Sequence, residues 1–186
     1  MNESEDYTAA LAVALRTKTW LVLLILLILL GELAMFFLYR YAAAWQPRGV
    51  DLLQYSVGLV EFFGVTLAIL LMVDLLLAIN IVLAGRLGGA ASLVRALNWS
   101  AVLLLLLFPW QAFLANASFT SDAFKIPGVL YTWNELAARG RWDAARMDFW
   151  EVFLHWARFV AFPIFAVIVA LGVNYHGSRR TVVEKV

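Results

Sequence analysis

Apolar positions in this chain come in blocks, without the one-sided or alternating pattern of a fold that packs in water. Four blocks, Trp20–Tyr39, Phe62–Leu83, Trp99–Ala115 and Phe149–Val173, approach or exceed the roughly 20 helical residues that cross about 30 Å of hydrocarbon. A segment inside lipid must satisfy its own backbone N–H and C=O groups, so runs of Leu, Ile and Val this long predict helices, not strands. Gln46-Pro47-Arg48-Gly49 marks a turn between the first two blocks, and Gly85, Gly88 and Gly89 mark one between the second and third. Short connections make sequential helices antiparallel neighbours. The expected fold is therefore all-α, a single integral membrane four-helix bundle over residues 1–186.

Two further segments carry helical signals. Ser4 to Lys18 has an N-cap residue at Ser4, acids Glu5 and Asp6 in its first turn, and Arg16 and Lys18 at its end, so it is expected to run into the first span. The connection at 116–148 is the one long extramembrane stretch. In it, Thr132-Trp133-Asn134-Glu135 fits a capping box and Gly140 a helix stop. Tyr131, Trp133, Trp142, Trp150 and Trp156 crowd the approach to the last span, as aromatic side chains do at a membrane–water interface. One or two short helices lying on the membrane surface are expected at 129–148, ahead of the last span.

Acids that interrupt the apolar blocks change this picture most. Glu32 lies in the first block and Asp74 in the second, where an ionisable group costs a few kcal/mol and is expected to face protein or a wet cavity. At ~1.5 Å per residue, Glu32 and Arg158 fall at similar depth, about 10 Å below the outer boundary, and are expected to pair. Asp148, Glu151, His155 and Arg158 repeat at spacings of three, four and three, one face of the last helix. Glu61, Gln111 and Asn116 approach the same zone. Glu32, Glu61, Glu151, His155 and Arg158 thus form the candidate polar cluster. It reads either as an ion pair fixing helix register or as a proton or solute path in which His155 titrates near neutral pH. Asp74 has no basic residue expected at its depth, and is read as protonated, internally bonded or met by another chain. Pro109 and Pro163 are expected to bend the third and fourth spans.

Composition narrows the function. The chain is 64% hydrophobic and 15% charged, with net charge +1 and no patch basic enough to suggest nucleic acid. It has no Cys, which excludes disulfides and thiolate metal sites. Its two histidines, His155 and His176, belong to opposite ends of one helix, so no haem clamp is expected, and there is no His-Glu-x-x-His run, no Gly-x-Ser-x-Gly and no phosphate loop. No cofactor and no metal are expected, and an enzyme, including one acting on lipid, is the least favoured class. The run Trp20–Tyr39 is too long for a signal peptide and follows acids, so an uncleaved anchor is expected despite Ala42-Ala43-Ala44.

The bases Arg16, Lys18, Arg86, Arg95, Arg179, Arg180 and Lys185 fall on one side of the expected topology, against Arg40, Arg48, Lys125, Arg139, Arg141 and Arg146 on the other. The short second loop and the tail carry bases with little acid, which favours both termini in the cytoplasm, in a plasma or inner membrane. The leading expectation is a non-catalytic subunit or scaffold of a membrane assembly, its partners being the lipid bilayer and other membrane chains or further copies of itself. The alternative is a proton- or ion-conducting component.

Overall fold

The computed structural model describes residues 3–41, 47–108, 110 and 128–178. Pro109, Gln111, Asn116, Lys125, Arg179, Arg180 and Lys185, residues 42–46 and the side chain of Arg48 lie outside the described residues. The described chain is all-helical. Four helices are long and apolar enough to cross a membrane: α1 (Glu3–Tyr41), α2 (Pro47–Ala84), α3 (Ala90–Leu107) and α5 (Phe149–Ser178). A short helix, α4 (Trp133–Arg139), and a 3-10 turn (Ala144–Arg146) stand between α3 and α5. This is an all-α, multi-pass membrane protein whose helices pack as a bundle.

All four long helices differ from the expected spans at their ends. Ser4 to Lys18 is continuous with the first span, and α1 begins at Glu3, so Ser4 lies inside the helix and is not its cap. Pro47 opens α2 instead of forming a turn, because the first helical position has no need of the missing N–H. Helix α3 starts at Ala90, nine residues before Trp99, since Arg95 and Asn98 point outward and do not interrupt its packed face. It ends at Leu107, ahead of Phe108, which the following Pro109 disfavours in helical conformation.

The turn after α2 forms as expected, with Gly89, one of the three glycines named for it, at φ 108° and Arg86 at φ 49°. The Leu87 N–H reaches the Val82 carbonyl at 2.8 Å and the Arg86 N–H the Leu83 carbonyl at 3.3 Å, a Schellman pair that closes the helix.

Which side of each helix packs is set by spacing. On α1 the buried residues are Ala14, Lys18, Val22, Ile25, Leu29, Glu32 and Met35, three or four apart, with Phe36 beside the last. Lys18 and Glu32 therefore sit on the packed stripe itself, each 1% exposed. The outward Leu23, Leu24, Leu27 and Leu30 are as apolar as the stripe, as lipid-facing positions must be.

Contacts divide the chain into two compact units, one of Met1–Leu26, Thr66–Leu104 and Ile168–Val186, the other of Leu27–Val65 and Leu105–Val167. In the first, a Cβ on Gly85 would stand 2.9 Å from Tyr7 Cβ, so α1 and α2 approach closely there. Tyr7 lies eleven residues before Lys18 and Gly85 eleven after Asp74, which sets Lys18 opposite Asp74 in an antiparallel pair. In the second unit Ile28 packs against Gly64 in the same antiparallel register, setting Glu32 opposite Val60 and Glu61.

In α5 the expected bend at Pro163 takes a specific form. Residues Ala157–Ala161 make a π-helical turn, and the Phe162 N–H donates to the Ala157 carbonyl five residues back. Pro163 removes one helical hydrogen bond and crowds the preceding turn, and widening that turn relieves the clash.

Candidate functional site

The second unit holds the larger polar cluster, and its centre is a segment that sequence analysis placed on the membrane surface. Gly128, Val129, Leu130 and Tyr131 are buried. The Val129 N–H donates to the Leu106 carbonyl at 2.7 Å, occupying one of the carbonyls that the end of α3 leaves free. Gly128 fits because a Cβ there would overlap the Phe108 carbonyl oxygen. The short helices expected at 129–148 form as α4 and the 3-10 turn, while the residues just before them turn inward. Residues 128–131 are packed inside, where buried partners meet the Tyr131 N–H and the Val129 and Leu130 carbonyls.

Those partners are Glu32 and Arg158. The Tyr131 N–H donates to Glu32 Oε1 at 2.8 Å, while the Tyr131 hydroxyl donates to the main-chain carbonyl of Glu32. Each residue thus offers its side chain to the other's backbone. Burial, and secondly the Glu32 charge, push the Tyr131 hydroxyl above the ordinary phenol range, so it stays a donor. Arg158 uses its whole fork on the same segment: Nη1 donates to the Val129 carbonyl at 3.0 Å and Nη2 to the Leu130 carbonyl at 3.3 Å. Its Nε and Nη2 also hold Glu135 Oε1 and Oε2 at 2.6 and 2.8 Å, a bidentate pair.

The expected Glu32–Arg158 ion pair is therefore not formed. Glu135 takes the arginine instead, because Thr132 caps α4 and aims its first turn at α5. The Thr132 hydroxyl accepts the Glu135 N–H at 3.3 Å, which is the forward half of the capping box, and the Glu135 carboxylate turns to Arg158. Glu135 was visible in the sequence as a capping residue and Tyr131 as an interfacial aromatic. Neither spacing nor charge marked them as cluster members.

The other cluster candidates scatter. Glu61 is half-buried and its charge acts on Glu32, as do those of Arg158 and Glu135. Glu151 in the first turn of α5 and Asp148, its N-cap residue, are exposed, away from the bonds that Arg158 makes. His155 turns to its own helix, with Nδ1 2.7 Å from the Glu151 carbonyl, and its ring packs tilted by 42° against Trp142 with ring centres 4.9 Å apart. The stripe of four charged residues thus serves three different neighbourhoods. Glu32 Oε2 remains buried without a hydrogen-bond partner.

Above this cluster the end of α1 is clasped by the stretch after α4. Arg141 Nε donates to the Tyr39 carbonyl at 2.8 Å and its guanidinium lies 4.6 Å from the Tyr39 ring centre. Arg40 in turn lies 3.5 Å from the centre of the Trp142 ring. Gly140 permits the approach, since a Cβ there would meet the Leu136 carbonyl oxygen and stand 2.9 Å from Tyr39 Cδ1. Phe36, Phe159, Tyr131 and Leu136 fill the core beneath. A shallow open groove of about 570 Å³ lies along α2, lined by Asp51, Gln54, Tyr55, Gly58 and Leu59, none of them a candidate from the sequence.

In the first unit Asp74 is not isolated. Lys18, opposite it on α1, acts on it electrostatically, which corrects the expectation that no base reaches its depth. Lys18 escapes a reckoning of depth that starts at the apolar block's first residue, Trp20, although the helix is continuous through both. Lys18 Nζ donates to Ser178 Oγ at 2.9 Å and to the Asn174 carbonyl at 3.4 Å, near the end of α5. Gly177 leaves space for the ammonium, 2.9 Å from where its Cβ would stand. Asp74 Oδ2 is buried without a hydrogen-bond partner. Among the described residues no group of three or more acids and histidines is placed to hold a metal ion.

Comparison with protein-family models, curated proteins and solved structures finds no match to this chain.

Proposed function

We propose that this chain is a non-catalytic subunit or scaffold of a larger membrane assembly. One observation carries the reading: Arg158, a cation largely withdrawn from solvent, spends its guanidinium on Glu135 and on the carbonyls of Val129 and Leu130. An arginine so bound fixes a chain path; it is not free to grip a substrate or pass a proton. Glu32 is used in the same way, on the backbone of Tyr131. A bundle whose polar groups rigidify a connecting segment presents a fixed surface, as a scaffold requires.

A second reading, a proton- or ion-conducting component, is favoured by the Asp74 carboxyl, which faces Lys18 while one of its oxygens has no hydrogen bond. Purification of the full chain in mild detergent after in-membrane crosslinking tests the first reading. A defined co-migrating membrane chain, or a defined oligomer, is expected. A crosslink-free monomer that carries protons across liposomes, and stops doing so on Asp74→Asn, would replace it with the second.

A further inference from the structure

Among the described residues Arg40 is a cation held without an anion. It stands in the last turn of α1, where it meets the negative end of the helix dipole. Its guanidinium lies 3.5 Å from the Trp142 ring centre, 5.4 Å from that of Trp156 and 5.6 Å from that of Tyr41. Aromatic faces attract the charge, but they accept few of the five N–H groups that a guanidinium offers. Arg40 Nε and Trp142 Nε1 are both buried without an acceptor, and among the described residues no carboxylate pairs with Arg40. The helix dipole accounts for a base at this position. It does not account for two neighbouring donors left unfilled, each of which destabilises the fold when buried.

The place indicates the missing acceptor. Tyr41 is the last residue of α1, and Tyr39, Tyr41, Trp133, Trp142 and Trp156 gather around it, as aromatic residues do where a span meets the headgroup layer. The anionic oxygens abundant at that level are lipid phosphates. Arg141, bound to the Tyr39 carbonyl next door, adds a second positive charge at the same helix end.

We propose that Arg40 and Trp142 form a binding site for the phosphodiester of a membrane lipid. Arg40 supplies the charge and a planar donor fork; Trp142 supplies the platform that orients it and an indole N–H. Inorganic phosphate presents similar oxygens, so the experiment separates the two sources. The full chain in dodecyl maltoside, a detergent without phosphate, is heated with dioleoylphosphatidylglycerol, with dioleoylglycerol, or with inorganic phosphate. Phosphatidylglycerol is expected to raise the unfolding midpoint by about 4 °C or more over dioleoylglycerol, and inorganic phosphate at the same concentration to leave it unchanged.

Arg40→Gln is expected to abolish that increment. Trp142→Phe, which keeps an aromatic platform and removes the N–H, is expected to reduce it. If Arg40→Gln does not fold, Arg40→Lys takes its place, retaining charge without the fork and losing most of the increment. Equal increments from the two lipids, or a full increment in both the Arg40 and Trp142 variants, overturn the site. An increment reproduced by inorganic phosphate overturns its assignment to lipid.

Discussion

Arg158 grips Glu135, not Glu32, and in doing so draws the residues between Val129 and Glu135 against α5. The pair is about 90% withdrawn from solvent, with side chains 11% and 9% exposed. Removing one partner from a buried pair leaves a charge uncompensated, so Arg158→Gln is expected to lower stability by about 3–5 kcal/mol. Glu135→Gln should cost less, since Arg158 keeps the Val129 and Leu130 carbonyls. A double-mutant cycle in mixed micelles checks this: coupling between 135 and 158 should exceed about 1 kcal/mol and be larger than coupling between 32 and 158. The reverse order would restore the Glu32–Arg158 pair.

Tyr131 gives the fold a dependence on alkaline pH. Its hydroxyl is held above the ordinary phenol range in the folded state, and an unfolded tyrosine ionises near about 10. A folded-state pKa raised above the unfolded value contributes stability that is present below the unfolded pKa and lost as pH rises beyond it. Wild-type stability should therefore fall above about pH 10 more steeply than that of Tyr131→Phe. The variant itself should lose about 1 kcal/mol at neutral pH, for one hydrogen bond. Unfolding midpoints from pH 7 to 11 for the two proteins decide it; parallel curves would count against the assignment.

Two classes of glycine can be told apart by one substitution. At Gly140 an added methyl meets the Leu136 carbonyl oxygen and the Tyr39 ring, so Gly140→Ala is expected to cost about 1–3 kcal/mol and to loosen the clasp on α1. At Gly31 and Gly58 a Cβ meets nothing within 4 Å, and alanine there should stabilise the helices by roughly 0.5–1 kcal/mol. Unfolding of the three variants side by side measures both signs.

For Lys18 and Asp74 the expectation is mutual dependence. Lys18→Met and Asp74→Asn should each lower stability, and the double variant should lose less than the two losses together, by about 1 kcal/mol or more. Strict additivity in a denaturation series would mean that the two charges do not sense one another.

Much of the architecture was legible in the sequence because lipid imposes a length and a composition that few other environments demand. The faces were not legible. On α1 the lipid-facing Leu23 and Leu27 are as apolar as the packed Val22 and Ile25, so hydrophobic periodicity carries no sign of which side turns inward. The polar residues do carry that sign, since Lys18 and Glu32, fourteen residues apart, fall on one stripe. That reading required treating Lys18 as part of the span, whereas an apolar window begins at Trp20.

The site was legible in its members Glu32 and Arg158 but not in its wiring. Depth is a one-dimensional measure, and Glu135 enters from a connecting segment to which no depth could be given. Backbone acceptors such as the Val129 and Leu130 carbonyls leave no mark in residue type at all.

The Glu32–Tyr131 lock also has a consequence in time. Ninety-nine residues separate the two, so at about 5–20 residues per second of synthesis Glu32 spends roughly 5–20 s without the amide that receives its carboxyl. Lys18 waits longer, for an acceptor 156 residues on. A nascent chain of this protein thus holds Glu32 without its amide until Tyr131 is made, and Lys18 without its hydrogen-bond acceptors until α5 arrives. A chain truncated before Tyr131 would be marked as unfinished by the same residues that lock the finished one.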